Sequence, residues 1–160
     1  MCRTIGLAMM MAGLAVGVPA TAQNTADVQR ALEVLRPAVK RLDTSMQNLQ
    51  QMNHALTSTH EFDIVSSVMA ESLEFDGAMD GARTTGDILV NMTCPNDARY
   101  VRGVLRESAL HAVNLANLSL QAINSYLTQL TTPAVVAETG KIRDLITEMR
   151  DTLRPFAGKE

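Results

Sequence analysis

Aromatic residues are scarce in this chain: three Phe, two Tyr and no Trp among 160 residues. The apolar mass is instead Leu, Val, Ala and Met, which suits packed helices better than a β-sandwich. Cationic excess is also lacking, with 14 Lys and Arg against 17 Asp and Glu. A mildly acidic chain has no electrostatic reason to seek nucleic acid or an anionic membrane. Cysteine is limited to Cys2 and Cys94. Long apolar runs are limited to one, at residues 5–18. That run is short for a membrane-spanning helix, which needs roughly 20 apolar residues.

What the run does match is an export signal. Arg3 precedes it, Pro19 breaks it, and Ala20, Thr21 and Ala22 place small residues at a cleavage point. Residues 1–22 are therefore expected to be a signal peptide, and the mature chain to begin at Gln23 in the periplasm or outside the cell. Cleavage removes one cation, Arg3, and moves the formal charge from −3 to −4. It also removes Cys2, so Cys94 has no intramolecular disulfide partner. A thiol in that position is expected to be a buried structural one, with an intermolecular disulfide as the second reading. The mature part, residues 23–160, has the length of one domain.

Its pattern is helical almost throughout. Val28, Leu32, Leu35, Val39, Leu42, Met46, Leu49, Asn53 and Leu56 recur in alternating steps of four and three. This is the seam of a helix packed in coiled-coil fashion. Pro37 falls off the seam. A second seam runs Val65, Val68, Ser72, Phe75, Met79, Ala82, Gly86, Leu89. Gly77, Gly81 and Gly86 each cost about 1 kcal/mol relative to Ala within a helix. They imply a kink or a close approach to the backbone. The third seam is Leu105, Ala109, Ala112, Ala116, Leu120, Ile123, Leu127, Leu130, and the fourth Val135, Thr139, Ile142, Ile146, Met149, Leu153, Phe156. Breakers lie at Thr57 to His60, Thr93 to Asn96 and Thr131 to Pro133. Thr132 suits a helix N-cap and Pro133 the first helical position.

These boundaries predict helices over 25–56, 61–92, 97–130 and 133–154. Short turns make neighbours antiparallel, so the expected fold is an all-α, up-down-up-down four-helix bundle with long helices. Folding the first hairpin about residues 58 and 59 brings Asp87 level with Arg30, and Asp76 level with Arg41.

Candidates for chemistry are few. Glu107 and His111 stand four apart on one helix face. Folding the second hairpin puts His111 level with Ala78, between Asp76 and Asp80, with Met79 and Met149 near the same height. Imidazole and carboxylates suit a first-row transition metal, and Met suits copper or haem iron. The di-iron bundle pattern, however, places Glu and His three apart, not four. No Cys-x-x-Cys-His is present for covalent haem. His54, His60, Glu61 and Asp63 crowd the first turn; the leading reading is a solvated turn whose carboxylates complement a helix N-terminus, and the alternative is a surface metal site. Glu107, His111, Asn114, Asn117, Gln121, Asn124 and Thr128 make a polar face on the third helix.

No nucleophile–base pair, phosphate loop or strong metal spacing is present. The reading is an exported, non-enzymatic helical binding or interaction module, with a protein partner or a second copy as its target and no cofactor. The alternative is a periplasmic metal- or haem-binding bundle using His111, Glu107, Asp76 and Asp80.

Overall fold

A computed structural model describes residues 20–158, with side chains from Thr25 onward. The expected signal peptide lies outside the described residues except for Ala20, Thr21 and Ala22. Four helices account for nearly all of what is described: α1 (Ala20–Ala55), α2 (Thr59–Val90), α3 (Pro95–Leu127) and α4 (Pro133–Leu153). A 3₁₀ turn, Arg154–Phe156, follows α4. Helix α1 starts five residues earlier than the seam predicts, at Ala20 rather than at residue 25. Among the described residues, no helix is long and apolar enough to cross a membrane.

The four helices form an antiparallel bundle. Helix α1 packs against α2 and α4, and α3 packs against the same two, so the pairs across the diagonals are the distant ones. Polar links tie the neighbours together, and two of them fix the direction of α4 against α1. Arg41 of α1 meets Glu148 of α4, and Asn48, further along α1, meets Glu138, further back along α4. Ser119 of α3 donates to Glu71 of α2.

The seams are where the core lies. All eight positions of the second seam, from Val65 to Leu89, are buried. On α1 the seam is buried from Val28 to Asn53 except at one step, where Ala38 is buried and Val39 only partly so; its last member, Leu56, falls past the end of α1 and is half-buried. Met46, Met79 and Met149 are all core residues. Pro37 is exposed, so the backbone bond it removes is lost on the wet side of α1.

Of the two glycine alternatives, close approach applies at Gly86. A Cβ there would lie 3.3 Å from Leu32 Cδ2 and 3.4 Å from Val28 Cγ1. Gly77 and Gly81 face open space instead, with nothing within 4 Å of where a Cβ would stand.

The expected ion pairs of the first hairpin form differently. Asp87 binds Arg36, at 2.5 Å, and Arg41 binds Glu148 of α4, at 2.8 Å. Arg30 pairs with Asp27 of its own helix. Arg30 and Arg41 are eleven residues apart, close to three full turns, and so share a face. That face looks toward α4, whereas Arg36 sits on the flank toward α2. Height along the hairpin was right; the side of the helix was not.

One link binds three elements at one end of the bundle. Ser58 caps α2 and accepts from the Glu61 amide at 3.3 Å. The Glu61 carboxylate does not close a reciprocal capping box. It turns to the α3–α4 connection, where Oε1 accepts from the amides of Thr131 (2.5 Å) and Thr132 (2.9 Å) and the Thr131 hydroxyl (3.0 Å). Oε2 accepts from the Thr132 hydroxyl at 2.7 Å. Thr132 is the N-cap residue of α4, as expected, but its hydroxyl serves Glu61 rather than its own helix.

Candidate functional site

Two open grooves between helices are where chemistry-bearing side chains collect among the described residues. The α2–α3 groove, about 300 Å³, is lined by Glu74, Gly77, Ala78, Gly81, Ser108, His111 and Leu115. The hollow exists because Gly77, Ala78 and Gly81 present little or no side chain there. His111 stands beside the two glycines, as the hairpin fold predicts, and is exposed.

Two exposed apolar side chains lie beyond this hollow, outside its lining, at positions set by the seven-residue repeat. Leu118 lies seven residues beyond His111, and Ile88 seven beyond Gly81, so each continues the same outer face by two turns. Both are exposed, Leu118 at 62 % and Ile88 at 50 %. The antiparallel packing of α2 and α3 places them on either side of the hollow along the bundle axis.

The α1–α2 groove is different in character. A cleft of about 510 Å³ is lined by Arg36, Val39, Lys40, Asp43, Asp76, Asp80 and Arg83. Burial pushes the Asp76 carboxyl up, and the nearby Asp43 and Asp80 push it further, against a smaller opposing pull from Arg83. Asp80 is paired with Arg83.

The proposed metal ligands are therefore divided. Asp76 and Asp80 face the α1–α2 cleft, and His111 the α2–α3 groove. Glu107 is exposed and lines neither. Level was again predicted correctly and side was not: Ala78 faces α3, while Asp76 and Asp80 turn toward α1. Met79 and Met149 are fully buried between the helices. Among the described residues, no group of three or more His, Cys, Asp or Glu side chains is placed to share a metal ion. His54, His60 and Asp63 are exposed at the first turn, and Glu61 is drawn inward by the threonines.

Cys94 is the N-cap residue of α3, is in no disulfide, and is half-buried rather than fully buried. A residue at the head of a helix, in a short connection, has solvent on one side. The polar face of α3 is present as expected, with Glu107, His111, Asn114, Asn117, Gln121, Asn124 and Thr128 all exposed. Arg150 of α4 donates to Asn117 at 3.4 Å.

Sequence reasoning missed a second buried carboxylate, Glu138 of α4. Burial would raise its pKa, but hydrogen bonds from Lys141, Ser45 and Asn48 outweigh that and hold it below the usual carboxylate range. Nothing in its local sequence separates Glu138 from a surface glutamate, because Ser45 and Asn48 come from α1.

Compared with protein-family models, with curated proteins and with solved structures, the chain matches none. The fold and the grooves define a class only, an antiparallel four-helix bundle with an open, partly apolar helix face.

Proposed function

We propose that this chain is an exported, non-enzymatic helical interaction module that uses the outer α2–α3 face. The observation that supports the reading is the pairing of exposed Leu118 and Ile88 with an open hollow lined by Gly77, Ala78 and Gly81. Large exposed apolar side chains beside a small-residue hollow offer both knobs and space to a facing helix. Export rests on residues 1–22, whose pattern is that of a cleavable signal.

The test uses the mature protein from its native compartment. Sedimentation across a concentration range and capture from the same compartment should detect self-association or a bound protein. Ile88→Lys with Leu118→Glu should abolish that binding and leave the helical content unchanged. A monomer that captures nothing in either form overturns the reading. Stoichiometric metal or haem, lost in His111→Ala, replaces it with the metal- or haem-binding alternative. N-terminal sequencing should find Gln23 first. Retention of residues 1–22 with the protein in the membrane fraction overturns export.

A further inference from the structure

Among the described residues, the buried apolar side chains fall into two clusters. The larger cluster runs from Leu35 to Leu49 on α1, with Val65, Phe75 and Met79 of α2, Ala112 and Ile123 of α3, and the α4 seam. A smaller, separate cluster holds Val28, Leu32, Leu89, Ala98 and Leu105. Helix α4 supplies nothing to it, because α4 ends at Leu153 and has only 21 residues against 32 to 36 in the other three helices. Beyond that point the bundle is three helices. Phe156, in the 3₁₀ turn after α4, is the one described apolar side chain that packs against both clusters.

Helix-weakening residues gather at the same end. Gly77, Gly81 and Gly86 on α2 and Gly103 on α3 all lie toward the α2–α3 connection, and the remainder of both helices has no glycine. Gly77, Gly81 and Gly103 have open space where a side chain would be, so no packing need within the bundle explains them. The opposite end is pinned by the four hydrogen bonds to Glu61.

We infer that the bundle contains two cooperative units, and that Phe156 is the latch between them. The smaller unit, around residues 28–32 and 86–105, opens while the larger remains folded. Opening starts when Phe156 leaves its seat and ends where Gly77 and Gly81 let α2 bend. A unit with fewer buried side chains, three helices instead of four and a glycine-rich boundary has the lower opening free energy.

Native-state hydrogen exchange on the mature protein tests this, under conditions where rates report opening equilibria. Amides at 86–105 should exchange at least about tenfold faster than those at 109–123. Phe156→Ala should speed the 86–105 amides by about tenfold or more. Ile123→Val, a small change inside the larger cluster, should speed the 109–123 amides by about 2- to 10-fold and leave 86–105 unchanged, because local opening does not break its contacts. Equal acceleration of both regions by Ile123→Val means a single cooperative unit and overturns the inference. So does an unchanged rate at 86–105 in Phe156→Ala. Should Phe156→Ala fail to fold, the Ile123→Val comparison decides alone.

Discussion

Glu61, at the head of α2, accepts the hydroxyl of Thr132, at the head of α4, across 71 residues of sequence and 2.7 Å of space. Two helix starts are thereby tied through one carboxylate. The Thr132 hydroxyl, then the backbone amides of Thr131 and Thr132, hold the Glu61 carboxyl down at about 2, from an ordinary value of 4.5.

The sign of the pH effect follows from that lowered value. The folded state binds this proton less readily than the unfolded chain does, so Glu61 contributes stability above about pH 4.5 and loses it as pH falls toward 2. Glu138, also lowered, acts in the same direction. Urea midpoints should decline on acidification below about pH 4.5. Glu61→Gln should be less stable at neutral pH, with a shallower acid decline than the wild type. An identical decline in the variant would place the acid sensitivity elsewhere.

Asp76 has the opposite sign. Its pKa is raised, chiefly by burial and then by Asp43 and Asp80, so its ionised form opposes folding as pH rises through the folded value. Asp76→Asn should stabilise the bundle at neutral pH and have little effect below the carboxylate range. The site is only half-buried, and screening keeps the gain under about 1 kcal/mol. Chemical denaturation at two pH values measures it.

The glycines of α2 should respond unequally to alanine. Gly77→Ala and Gly81→Ala meet no neighbour, and each should stabilise by up to about 1 kcal/mol. Gly86→Ala gains the same helical propensity, but Leu32 must shift to admit a methyl at 3.3 Å. Its gain should be smaller than that of the other two. Thermal melts of the three variants give the order directly.

Leu42 is fully buried in the α1 seam and Gln47, five residues on, is exposed. Leu42→Ala should cost about 2–5 kcal/mol by opening a cavity. Gln47→Ala should cost under about 0.5 kcal/mol. Comparable losses would mean the seam is misplaced by a residue.

The fold was legible because a seam repeating every three and four residues carries its own test at each step. Even its polar members, Ser72, Thr139 and Asn53, are buried where the spacing puts them. Lateral relations were not legible. Hairpin folding fixes which residues share a level, and it therefore placed His111 by Gly77 and Gly81. It says nothing about which flank a side chain takes, and so it joined Asp76 to His111 and Arg30 to Asp87 incorrectly. Ser58 and Glu61 carry the spacing of a capping box, a signal that marks the start of α2. The destination of the Glu61 carboxylate depends on a turn 70 residues away, and no local pattern encodes that.

Helix α4 stops short of its neighbours, and this has an electrostatic consequence. In antiparallel bundles of equal helices, every terminus lies at one tip or the other and opposed macrodipoles cancel there. Here the carbonyl end of α4 emerges partway along the flank, between α1 and α3. Arg150 in the last turn and Arg154 at the C-cap flank that end, and both are paired with Asp151. The middle of the molecule therefore carries a polarity that is ordinarily found only at its ends.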